Sequence, residues 1–189
     1  LDSDDVLFPA AVEQLAGAVL NSGAVFSEGA YEVVDTQLRH VSDRPHKAGE
    51  ISEYTDCYAY PWGKAYRLRE LDGFRFPEGY LYEDSFIYQV LFAHYAQLGK
   101  KAAGVGSPVV RYRVNPGGIS RKSRGSVKSI DSLWITLSLH EDRKKLGIQN
   151  TQKYYEYILS MLVLTYHRTE QRDEETKKAI FAMWLDFLG

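Results

Sequence analysis

The sequence predicts a mixed α/β region to about residue 120 and a helical region beyond it. Three observations carry this. Runs such as "AVFSEGAYEVVD" and "GSPVVRYRV" read as short strands. Segments with helical apolar spacing, "FPAAVEQLAGAVLNSG" and "EDSFIYQVLFAHYAQLG", alternate with them. From about Ile130 onward every periodic segment is helical. The polar stretch "SRKSRGSVKS" divides the parts, giving a first region over 1–125 and a helical extension over 126–189.

The elements follow in order. Leu1 is expected to end a strand, with Asp2, Asp4 and Asp5 at its carboxyl edge. Pro9 suits a first helical turn, Val12, Leu15, Ala16 and Val19 share a face, and Asn21-Ser22-Gly23 ends the helix. "AVFSEGAYEVVD" predicts a strand, a turn at Gly29 and a second strand. Residues 39–52, with His40 and His46, are polar and predict a mobile loop. A Tyr-, Pro- and Gly-rich stretch, 58–85, predicts a loop-rich cleft wall. Ile87, Val90, Leu91, His94, Tyr95 and Leu98 form the clearest helical stripe, ended by Gly99. The helical extension contains "SIDSLWITLSLHEDRKKLG", "YYEYILSMLVLTYHRT" and "EETKKAIFAMWLDFLG".

Composition excludes several classes. The chain has 189 residues, 44% hydrophobic and 25% charged, enough apolar material for a core. A net charge of −2 argues against a general nucleic-acid binder. The single cysteine, Cys57, cannot form an internal disulfide; it reads as a small buried hydrophobe and fits a reducing, cytoplasmic setting. No apolar run reaches the roughly 18 residues of a membrane span. With no initiator Met, Leu1 reads as a cut end.

Four features point to chemistry. Asp2, Asp4 and Asp5 are hard oxygen ligands suited to Mg²⁺ or Mn²⁺ bridging to phosphate; helix capping is the plainer account of one of them. Glu83-Asp84 precedes the clearest helix, where a carboxylate serves either as a general base or as a cap. From Ser85 to Ile130 there is no Asp or Glu, while Lys100, Lys101, Arg111, Arg113, Arg121, Lys122, Arg124 and Lys128 are all basic. This is either a lid that closes over a diphosphate, hinged at Gly117-Gly118, or a solvated basic face. In "YPWGKAYR", Tyr60, Trp62 and Tyr66 can stack on a sugar or base and Lys64 can meet an anion, or the rings pack into the core. Together the acidic cluster, the lone acid and the basic lid form the set needed to move a group off a nucleoside diphosphate.

In order and spacing these segments resemble the family 2 glycosyltransferases of bacterial polysaccharide and cell-surface synthesis, which have the GT-A fold. "LDSDDVLFPAAVEQLAGAV" is similar to the family's Asp-x-Asp segment and following helix, and "GAVFSEGAYEVVD" to its next hairpin. "PWGKAYRLRELDGFRFPEGYLYEDSFI" is similar to the stretch entering its acidic catalytic segment, and "VVRYRVNPGGISR" to its closing strand and loop. The resemblance implies a partial GT-A fold, Rossmann-like with a mixed sheet, lacking its N-terminal nucleotide-binding strands. It implies that Asp2 and Asp4, with Asp5 beside them, hold the metal and the nucleotide's ribose or diphosphate, Asp2-x-Asp4 and Asp4-Asp5 both fitting as the direct metal ligands, and that Asp84 is the base of a direct, inverting displacement. Trp62, Lys64, Glu83, Arg113, Ser120 and Arg121 are implied as cleft or lid residues around a nucleotide-diphosphate sugar. The acceptor would be a saccharide or lipid-linked hydroxyl at the inner face of the membrane. The helical tail would serve acceptor binding, peripheral membrane association or homodimerisation. As a fragment, the chain alone is expected to be inactive. Two alternatives stand beside this: a non-catalytic carbohydrate-binding or interaction module, and a haloacid-dehalogenase-type phosphatase with Asp2 as nucleophile.

Overall fold

A computed structural model describes residues 1–118 and 126–188. Arg121, with Ser120, Lys122 and Arg124, lies outside the described residues, so the proposed lid is not described. The chain is α/β and divides into two compact units. One comprises Leu1–Arg75 with Leu91–Asn115, the other Phe76–Val90 with Pro116–Gly189. The division is not linear in sequence, because 76–90 belongs with the helical extension.

The first unit is built on a mixed sheet of six strands: β1 (Val6–Leu7), β2 (Phe26–Val34), β3 (His40–Arg44), β4 (Gly49–Ile51), β5 (Lys64–Tyr66) and β6 (Ala102–Arg113). β2 and β6 run parallel at its centre. β1 and β4 pair antiparallel with opposite halves of β6, and β3 and β5 with opposite halves of β2. Helix α1 (Ala11–Ser22) buries Ala11 and Leu15 against Tyr31, Val33, Val109 and Val110. Ser27 Oγ donates to the Leu15 carbonyl at 2.7 Å. Gly23 leaves the helix at φ 73°, and Arg67 donates to the carbonyls of Val19, in the last turn, and Ala24, just beyond it, at 2.8 Å each. Phe26 stacks on Phe92 at 5.0 Å, with Tyr54, Tyr66 and Tyr95 around it.

Several sequence expectations change here. Val12 is exposed, so the buried stripe of α1 is Ala11, Leu15 and Val19. Gly29 is not a turn: β2 is one continuous strand whose pairing with β6 shifts beside Gly29. The glycine is required by space, since a Cβ there would lie 2.5 Å from Val109 Cγ1. Residues 39–52 are not a loop but contain β3 and β4, edge strands whose mostly exposed side chains explain their polarity. Asp2–Asp5 forms a turn, with the Asp5 N–H on the Asp2 carbonyl at 3.2 Å. The clearest helical stripe runs as a π-helix over Ile87–Phe92 before α2 (Ala93–Gln97), and Gly99 ends it at φ 63°.

In the second unit, α3 (Asp131–Lys145), α4 (Gln152–Thr169) and α5 (Glu174–Leu188) enclose Leu133, Tyr154, Ile158, Ile180 and Trp184. Thr151 caps α4 and Asp173 caps α5. Arg143 is fully buried without a carboxylate; its guanidinium lies over the Tyr154 ring at 3.9 Å. It donates to the carbonyls of Gln89 and Gln149 and to the Asn150 side chain, which ties segment 76–90 to the helices. No helix among the described residues is long and apolar enough to cross a membrane.

Gly29→Ala should lower stability by about 1–3 kcal/mol, because the new methyl group overpacks against Val109. Urea unfolding followed by Trp62 fluorescence in a Trp134→Phe/Trp184→Phe background measures it. The Gly29→Ala/Val109→Ala double variant should lose less than the sum of the two single changes.

Candidate functional site

The acidic cluster sits at the carboxyl edge of the parallel pair, reached by a route the sequence did not predict. β1 runs antiparallel to β6, so the residues entering β1 lie beside the end of β6. Asp5 is buried, and its Oδ1 accepts the Arg113 backbone N–H at 2.8 Å. Its Oδ2 is buried with no hydrogen-bond partner, as is the Nε of Arg113. Asp4 Oδ2 accepts from Asn115 Nδ2 at 3.2 Å, and Asp2 is exposed. Burial pushes the Asp5 carboxyl above the usual range, and the charges of Asp2 and Asp4 push it further. Arg111 is committed elsewhere: it pairs with Glu32 and lies 4.4 Å over the Phe8 ring. It is exposed, whereas Arg113 is half-buried.

Among the described residues, no three or more His, Cys, Asp or Glu side chains are grouped to hold a metal ion. The donors nevertheless suit a hard cation that takes one or two carboxylates and completes its shell with water and phosphate. The uncompensated Oδ2 of Asp5 is the specific feature that such an ion would relieve.

The second unit holds Asp84. Burial raises its carboxyl above the usual range and the neighbouring Glu83 adds to this; the Ser85 backbone N–H and the Arg168 charge oppose it. Glu83 itself is exposed. Tyr82, two residues earlier, has φ 69°, an uncommon conformation for a bulky residue and of the kind that clusters at functional sites. Its ring lies 3.7 Å from the Arg168 guanidinium. The Tyr157 hydroxyl accepts from Gln89 Nε2 at 3.3 Å. So Asp84 accepts a backbone hydrogen bond at the start of the helix and keeps a desolvated carboxyl.

Lys64 is not presented to a ligand. Its side chain is fully buried, with Nζ 2.7 Å from Glu28 Oε1 and 2.6 Å from the Tyr60 carbonyl. Glu28 also accepts from His46 Nε2 at 3.1 Å and from the Tyr58 backbone N–H. Burial pulls the His46 ring down, but the hydrogen bond and charge of Glu28 outweigh it and hold the ring above its ordinary value. Cys57 is buried beside this group and its thiol is pushed up by desolvation, as expected of an inert cysteine. Sequence reasoning missed Glu28 and His46. The available signal was a lone Glu within the apolar run "AVFSEGAYEVV".

Trp62 is half-buried in an aromatic group. It stacks on Tyr60 at 4.8 Å and on Tyr112 at 5.4 Å, and meets Tyr31 edge-on. Tyr66 packs inward on Phe26 and not toward a ligand. Of the three rings read as stacking candidates, Tyr60 is the exposed one. No protein-family model matches this chain, and no curated protein matches it.

Two outcomes follow. Glu28→Ala strands two buried cationic partners and should cost about 3–5 kcal/mol in urea unfolding, with less than additive loss in Glu28→Ala/Lys64→Met. The second concerns Asp5. Its folded-state pKa is raised, so its favourable contribution is present below the unfolded pKa and lost as pH rises through the folded pKa. Asp5→Asn should therefore match the native chain in acid and exceed it in stability at neutral pH, measured by thermal unfolding at both pH values.

Proposed function

We propose that the chain is part of an inverting glycosyltransferase of GT-A type, which transfers a sugar from a nucleotide-diphosphate donor to a saccharide or lipid-linked hydroxyl acceptor. The observation that carries this reading is the carboxylate cluster at the carboxyl edge of β2 and β6, with its uncompensated buried Asp5 oxygen. That edge is where open α/β sheets bind ligands. Asp5 and Asp4, with Asp2 beside them, would hold Mn²⁺ or Mg²⁺, which when bound neutralises the charge of a leaving diphosphate. Arg113, whose Nε is unpartnered, supplies a cation at the same edge.

Asp84 takes the role of base. The acceptor oxygen forms a bond to the anomeric carbon as the bond from that carbon to the diphosphate oxygen breaks. The hydroxyl proton passes to the Asp84 carboxylate, and the nucleoside diphosphate leaves with the bonding electron pair. A carboxyl raised by burial is a better proton acceptor than a solvated one, which supports this assignment. A second reading, a carbohydrate-binding module, draws on the Tyr60–Trp62–Tyr112 stack. It predicts saccharide-induced changes in tryptophan fluorescence without any metal.

Titration calorimetry of UDP against the complete enzyme, with and without Mn²⁺, tests the donor half. Binding should require Mn²⁺, be lost in Asp4→Ala and Asp5→Ala, and survive in Asp84→Asn. In the complete enzyme, Asp84→Asn should lower transfer by about 10²–10⁴-fold. Metal-independent UDP binding that ignores the aspartates would overturn the assignment.

A further inference from the structure

Arg168 is a half-buried cation with no anion of its own. It lies in the last turn of α4, and among the described residues it forms no ion pair and donates no hydrogen bond. What holds it is the Tyr82 ring, 3.7 Å from its guanidinium. That ring is presented by a backbone at φ 69°, which a bulky residue adopts only when its surroundings impose it. The charge of Arg168 reaches Asp84, yet the two do not pair. Stacking occupies one face of the guanidinium and leaves its N–H edge to donate in the plane, the geometry that recognises phosphate and carboxylate.

The geometry points to an oxyanion subsite formed by Arg168 on the Tyr82 platform, which receives a phosphate or carboxylate carried by the acceptor. This rests on Asp84 as the base in the proposed function, and it narrows the acceptor to an anionic class. A phosphate would come from a lipid-linked or phosphorylated saccharide, a carboxylate from an acidic sugar. The Asp84 charge competes with such a group, so the subsite is strongest when Asp84 is neutral, its state after accepting the acceptor's proton.

The test is binding of glycerol phosphate, glucuronate and glucose to the 189-residue chain, measured by titration calorimetry and, where Arg168 is present, located at its Nε–H resonance. Glycerol phosphate or glucuronate should shift that resonance saturably, and glucose should not; which anion binds more tightly identifies the source. Arg168→Gln should weaken binding at least about tenfold, and Arg168→Lys should restore part of it. Tyr82→Gly removes the platform while relieving the positive φ, and should also weaken binding. Asp84→Asn should tighten it several-fold. Equal binding by Arg168→Gln, or a glucose shift matching the anions, overturns the subsite. Should Arg168→Gln fail to fold, unchanged binding in Tyr82→Gly together with no gain in Asp84→Asn overturns it equally. Anion binding at Arg168 without Mn²⁺-dependent UDP binding by the complete enzyme would leave the subsite standing and remove the transferase reading.

Discussion

The first unit depends on one buried negative charge. Glu28 lies near the start of the central strand β2 and is fully buried, where desolvation of a lone carboxylate would be prohibitive. It is tolerated because Lys64 from β5, His46 from the segment before β4 and the Tyr58 N–H all converge on it. A buried group of this kind adds little net stability over an apolar core, but removing one member is severe. Its consequence is geometric. Segments far apart in sequence are pinned to β2, and with them the aromatic group of Tyr58, Tyr60 and Trp62 that covers Tyr31.

A different economy governs Asp5 and Asp84. Glu28 is fully matched, whereas Asp5 keeps a buried oxygen without a partner and Asp84 is half-buried beside Glu83, and desolvation pushes both carboxyls up. Matched buried charge reads as architecture. Unmatched buried charge stores free energy that a ligand or proton can release, and such groups concentrate where chemistry is done. Arg168 belongs with the second kind, with opposite sign.

Much of this was legible in the sequence. The three terminal helices, α1 and the strand character of "VVRYRV" follow from apolar spacing, which local sequence carries directly. The acidic turn and Glu83-Asp84 were visible as charge without compensation nearby. Lys64 was misread because its motif does not say that a Glu lies 36 positions away in sequence, against it in space. β3 and β4 were read as a loop because edge strands facing solvent need no apolar alternation.

The sequence by itself determined which segments are helical and where the acidic residues cluster, since both depend on neighbours within a few positions. Only the tertiary structure decided that β2 is unbroken through Gly29, because the reason is a contact with Val109. It also decided which charges are matched. Pairing and burial are set by residues distant in the chain, so Lys64 became an internal strut while Arg168, in the last turn of a helix of the predicted extension, was left without an ion pair among the described residues.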